Sequence, residues 1–272
     1  MINIATETTY NIEELLLSIS KASYISIDTE FTKTNHYTSQ LSLLQLKINN
    51  LIYLIDAHED KQKKQLGRII NAIFQSKALK ILHSCINDLE ALSPWITNQN
   101  FSNIIDTQLL LNQAGFGKQV GYKNAVQTLL KKEMPESPNW QVWSHRPLGQ
   151  NALKYAAYDV EYLRDLYLIL KQKINVNSYW YVRKKSEDQA KKGFLHDYIE
   201  KDTIKIIGTY FSNHQEDANM CNIVKHSVML RDAKAKRQNL IPSKFKSNKD
   251  LAQEISVKNS TPLCQQKRPR KK

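Results

Sequence analysis

Ser23-Tyr-Ile-Ser-Ile-Asp-Thr-Glu-Phe31 is the stretch on which the fold of this chain turns. Tyr24 and Ser26 alternate with Ile25 and Ile27, the period of two that marks a β-strand. The strand then reaches Asp28 and Glu30, which lie two positions apart and so project from one face. Two carboxylates that close repel unless a cation neutralises them, and hard oxygen ligands suit Mg²⁺ or Mn²⁺. Solvated acids on a surface strand are the plainer explanation of such a pair. Ile25 and Ile27 ahead of it and Phe31 behind it set the pair in an otherwise buried strand.

Further along, residues 41–46 (LSLLQL) and 51–55 (LIYLI) are apolar runs on either side of Lys47-Ile-Asn-Asn50. Asn-Asn is a turn signal, which predicts a hairpin. Leu66, Ile69, Ile70 and Ile73 recur at helical spacing among lysines, predicting an amphipathic helix over 60–76. Residues 79–84 (LKILHS) form a short buried strand, 87–96 a helix that begins at Asn87, and 122–132 another helix. Residues 103–111 (NIIDTQLLL) suit strand and helix equally. From Gly149 to about Ile174, Leu153, Ala156, Ala157, Val160, Leu163, Leu166 and Leu170 recur every three or four positions, which predicts one continuous helix. Hairpin-linked strands followed by alternating strands and helices define an α/β class, a mixed sheet flanked by helices.

Composition narrows the class further. A hydrophobic share of 41% over 272 residues suffices for one large domain, or a medium one with a smaller companion. No run approaches 18 apolar residues, so no membrane span is expected. The first residues, MINIATETTYNIEE, match neither a secretory nor a transit signal. Cys85, Cys221 and Cys264 are too scattered for a zinc pair or a disulfide framework. The expectation is a soluble, cytoplasmic protein. Residues 1–170 carry 16 basic and 16 acidic side chains, so the whole net charge of +13 falls on 171–272. Lys267, Arg268, Arg270, Lys271 and Lys272 crowd the last six positions. A neutral front and a basic back point to a polyanion held by the back, nucleic acid first among candidates.

Three more side chains matter in combination. Asp88 stands in the first turn of a helix, where a negative charge is favourable anyway. Tyr155 and Asp159 are four apart and share one helical face. Taken singly, each has a structural explanation. Taken in order, DTEF (28–31), HSCINDLEAL (83–92) and YAAYDVEYL (155–163) resemble the three exonuclease motifs of ribonuclease D. That family belongs to the DEDD superfamily of 3′→5′ exonucleases, in the Tyr-x-x-x-Asp branch. The connecting segments 40–46, 105–110 and 146–148 (RPL) are similar as well, and the resemblance covers roughly residues 20–175.

The resemblance implies a ribonuclease H-like mixed sheet and an exonuclease domain over 1–175. It implies stepwise removal of nucleotides from RNA 3′ ends, as nucleoside 5′-monophosphates, with tRNA precursors as substrate and the protein a monomer. Asp28, Glu30, Asp88 and Asp159 would hold two divalent ions, Mg²⁺ or Mn²⁺. Asp28 would bridge them, Glu30 and Asp159 would complete the site of the water-activating ion, and Asp88 would serve the second through water. Tyr155 would orient the attacking water, since a phenol of pKa about 10 is a poor base at neutral pH. Two positions depart from the family pattern: Asn139 precedes Trp140 where Asp is common, and Tyr158 fills a slot usually held by a small residue.

His83 and Cys85 flank the second motif and are expected in the core or the site wall. Trp140 and Trp143 suit base stacking or packing. After the nuclease domain, 176–192 resembles the family's linking helix, and 176–258 is expected to be a small all-α HRDC-like nucleic-acid-binding domain. The shared features are Arg231 opening a helix, Asn239, Pro242, Asp250 and the run Leu251–Ile255. Residues 259–272 are expected to be a disordered basic tail. Two rival readings are a DNA exonuclease and a non-catalytic RNA-binding adaptor.

Overall fold

In a computed structural model of the chain, the described residues are 3–5, 10–33, 39–58, 60–97, 101–194, 198–238, 240 and 242–263. The tail residues Lys267, Arg268, Arg270, Lys271 and Lys272, together with Asn239, lie outside them. The first compact unit contains β1 (Asn3–Ala5), α1 (Ile12–Lys21), β2 (Tyr24–Lys33), β3 (Ser39–Ile48) and β4 (Leu51–Asp56). It continues through α2 (Asp60–Gln75), β5 (Leu79–Leu82), α3 (Ile86–Leu92), β6 (Ile104–Asp106), α4 (Thr107–Gln113) and α5 (Tyr122–Leu130). It closes with α6 (Gln150–Glu161), α7 (Leu163–Gln172) and α8 (Val176–Phe194).

The strands form a six-stranded sheet in the order β1-β4-β3-β2-β5-β6. β3 and β4 are antiparallel, while β1/β4, β2/β5 and β5/β6 are parallel, so the sheet is mixed. The hairpin expected at Asn49-Asn50 is present: Ile48 faces Leu51, and Asn49 has φ 54°, a region asparagine tolerates. Ile25, Ile27, Leu46 and Ile48 bury against α1, α2 and α3 on one face. Leu43, Ile52, Leu54 and Ile81 bury against α6 and α7 on the other. Strand parity therefore sends Asp28 and Glu30 to the α6 side.

The ambiguous stretch 103–111 is both things in turn, strand to Asp106 and helix from Thr107. Asp106 makes the change by capping α4, its side chain accepting the Gln108 N–H.

The helix predicted as continuous from Gly149 to Ile174 is two helices. Tyr162 separates them with φ −106° and ψ 3°. The Tyr122 hydroxyl accepts the Tyr162 N–H at 3.0 Å and donates to the Tyr158 carbonyl at 3.3 Å. An unbroken α-helix would bond those two backbone groups directly. A side chain inserted into the ladder is a sufficient cause for the break.

α8 packs on the edge of the sheet. The Asp106 N–H donates to Ser186 Oγ at 2.9 Å, and Arg183 and Glu187 both bind Asn103 at the start of β6. α8 therefore packs with the first compact unit, because it supplies partners that the edge strand lacks.

The second unit is helical: α9 (Tyr198–Tyr210), α10 (Ala218–Arg237), α11 (Pro242–Phe245) and α12 (Asn248–Asn259). Ile206, Phe211, Val224, Val228, Leu251 and Ile255 form its core. Arg231, expected to open a helix, lies inside α10 and is 2% exposed. Its guanidinium bonds Asp202, Asn248 and the Lys246 carbonyl, joining α9, α10 and α12 to the link that follows α11. Among the described residues no helix is long and apolar enough to cross a membrane.

Candidate active site

β2 delivers Asp28 and Glu30 beneath α6, and α6 answers with Tyr155 and Asp159 one turn apart. One carboxylate oxygen from each of Asp28, Glu30 and Asp159 lies within 4.8 Å of the other two. Asp88 comes from the first turn of α3 and is buried. Its Oδ1 accepts the Thr29 hydroxyl at 2.6 Å and the Thr29 N–H at 3.2 Å, which ties it to the strand between the two acids. The structure therefore gathers all four carboxylates and the tyrosine singled out in the sequence.

The cluster is charged beyond what it can hold alone. Burial first, then Asp88, Asp159 and Glu30, raises Asp28 well above the carboxylate range. Burial, Asp159 and Asp88 lift Glu30 to about 8. Burial lifts Asp159 to about 7 in spite of a hydrogen bond from Tyr155, and lifts Asp88 to about 6 in spite of Thr29. Among the described residues no Lys or Arg pairs with any of the four. An all-oxygen set of crowded, uncompensated carboxylates fits a hard divalent cation, which would favour their ionised forms. Tyr155 is itself pushed up, by burial and then by Asp159, so its phenol stays protonated.

Two positioning residues escaped the sequence reading. Asp106 is 2% exposed and accepts from the N–H groups of Ser84 (2.9 Å) and Cys85 (3.0 Å) as well as Gln108. It thereby fixes the β5–α3 turn, where Ser84 has φ 59°, and with it the placement of Asp88. In the sequence it stands only as an acid ahead of an apolar helix, within the family-like segment 105–110. Asp106→Ala strands three amide donors and is expected to lower stability by about 3 kcal/mol in a urea melt. A loss under about 1 kcal/mol would deny it this role. Arg146 is the other. It bonds Asp56, the Ser42 carbonyl (2.9 Å) and the Trp143 carbonyl (3.2 Å), holding the buried Trp143 ring 6.4 Å from that of Tyr155.

The remaining candidates separate cleanly. His83 uses both ring nitrogens, on Thr107 Oγ1 (2.9 Å) and the Val120 carbonyl (2.9 Å), and belongs to the site wall. Cys85 is fully buried. Trp143 is a packing anchor, whereas Trp140 is 66% exposed on a 3₁₀ turn over Trp140–Ser144. Asn139 caps that turn by accepting the Gln141 N–H at 3.0 Å, a task an aspartate performs equally. The Tyr158 ring packs against Tyr162 at 6.1 Å, with the Lys154 ammonium 6.0 Å from its centre.

Residues 3–175 match the family of 3′-5′ exonucleases, and the chain belongs to that family. Curated relatives include ribonucleases D, in agreement with the motifs. That of Bartonella henselae is 32% identical over 177 residues, covering 65% of this chain and 43% of the relative. That of Gluconacetobacter diazotrophicus is 29% identical over 168 residues, 61% of this chain and 42% of the relative. The matched stretch thus spans about two fifths of each relative's length. Among solved structures, Escherichia coli RNase D, an exoribonuclease involved in structured RNA processing, superposes with a TM-score of 0.67 at 20% identity. That likeness covers 96% of this chain and 69% of the other. Brucella melitensis NrnC with bound Mg²⁺ gives 0.52 at 23% identity, over 68% of this chain and 88% of that one. These likenesses establish the ribonuclease H-like exonuclease fold.

Proposed function

We propose that this protein is a 3′→5′ exoribonuclease of the ribonuclease D type, hydrolysing terminal phosphodiester bonds with two divalent ions. The carrying observation is the convergence of Asp28, Glu30 and Asp159 within 4.8 Å, with Asp88 tethered beside them. Two Mg²⁺ or Mn²⁺ ions, when bound, stabilise the attacking and leaving oxygens of an in-line displacement. Asp28, Glu30 and Asp159 would hold the ion that activates the water, and Asp28 with Asp88 would serve the second. Tyr155 donates a hydrogen bond to Asp159, and its oxygen, which also meets Ser137, would accept from a water and orient it.

The nuclease domain takes residues 1–175 in this reading, with α8 as its buttress. The second unit acts as an HRDC-like module, and the basic residues at 267–272 meet phosphates without reading sequence. Trp140 is exposed and suited to stacking on a base. The substrates are RNAs with a 3′ extension, tRNA precursors foremost, trimmed by a cytoplasmic monomer. The test is a 5′-labelled tRNA with a 3′ extension, incubated with protein and Mg²⁺ beside matched single-stranded DNA. A one-nucleotide ladder from the RNA 3′ end with release of 5′-monophosphates is expected. Preferred shortening of the DNA, or bound but intact RNA, would overturn the proposal.

A further inference from the structure

We propose that Tyr122 is a positioning residue for Asp159, its hydroxyl wedged into the α6 ladder to fix the turn from which that carboxylate projects. This rests on the exonuclease reading of the site. The two groups the hydroxyl joins, the Tyr158 carbonyl and the Tyr162 N–H, bracket Asp159. The Tyr158 carbonyl belongs to the very peptide whose nitrogen is that of Asp159, so pulling on it tilts the plane that carries the acid.

The opened turn is held from elsewhere too. Lys47 on β3 donates to the Glu161 carbonyl at 2.6 Å and pairs with the Glu161 carboxylate at 3.0 Å. Tyr122 is fixed in turn: its partly buried ring lies 5.7 Å from the His83 ring, and His83 is pinned by Thr107 and Val120. His83 follows β5 directly, on the segment that leads to Asp88. Through Tyr122 the turn of Asp159 is thus referenced to the segment that places Asp88. Packing alone would need only the ring; the hydroxyl is what holds the ladder open.

Tyr122→Phe keeps the ring, removes the hydroxyl and lets Tyr162 N–H bond the Tyr158 carbonyl directly. Its melting temperature is expected within about 4 °C of wild type, since one net hydrogen bond is exchanged for another. Its kcat on a short RNA is expected to fall roughly 10- to 100-fold with KM little changed. Its Mn²⁺ affinity, titrated without RNA, should weaken roughly tenfold or more. Wild-type kcat and Mn²⁺ affinity in the variant would overturn the proposal, as would a kcat loss that merely follows the fraction unfolded. A wild-type protein that binds Mn²⁺ without cleaving RNA would sink the exonuclease reading, and the Mn²⁺ comparison would still judge Tyr122.

Discussion

Asp28→Asn is expected to slow removal of 3′ nucleotides by about 10⁴-fold while making the cation-free protein more stable. The loss follows from taking away the one carboxylate that all three other acids surround. Several kcal/mol of transition-state stabilisation depend on such a site, and each 1.36 kcal/mol is about tenfold in rate. The gain follows from the same crowding: a neutral amide of equal size sits among the other acids without having to take up a proton on folding. Single-turnover assays in Mg²⁺ and thermal melts in EDTA would measure the two effects. A variant within about tenfold of wild-type activity would contradict the role given to Asp28.

The second large effect is a dependence of stability on pH that a divalent ion reverses. Asp88, Asp159 and Glu30 bind their protons more tightly when folded, with values of about 6, about 7 and about 8. Between the ordinary carboxylate range and those values, the folded state holds protons the unfolded state has released. Stability therefore falls as pH rises from about 4 to about 8. The metal-free protein should melt lower at about pH 8 than at about pH 5.5. A cation at a hundredfold excess over its Kd adds about 3 kcal/mol, or roughly 6–12 °C for a unit of this size. Protons compete for the same oxygens, so the cation's effect should be greater at about pH 8. A melting temperature in EDTA that climbs across this range would rule out the raised carboxylates.

What the sequence disclosed and what it hid have physical reasons. The position of Asp28 and Glu30 on a buried strand was legible because strand periodicity is local. Their meeting with Asp88 and Asp159 was not, since no local pattern links β2, α3 and α6; the order of three motifs supplied it. The break at Tyr162 left no mark because Val160, Leu163, Leu166 and Leu170 stay buried straight through it. Its cause lies forty residues upstream, in a hydroxyl. Asp106 was hidden similarly, as a capping residue whose second duty is to a turn about twenty residues earlier. α8 looked like a linker because its partners on the sheet edge, Asn103 and Asp106, are remote in the chain.

The claim that four acids form one cation site is tested most directly by counting Mn²⁺ bound per chain, by electron paramagnetic resonance at about pH 7.5. The proposed site predicts two ions bound in the wild type and their loss in Asp28→Asn. Mn²⁺ that binds both proteins equally, or neither, would contradict it.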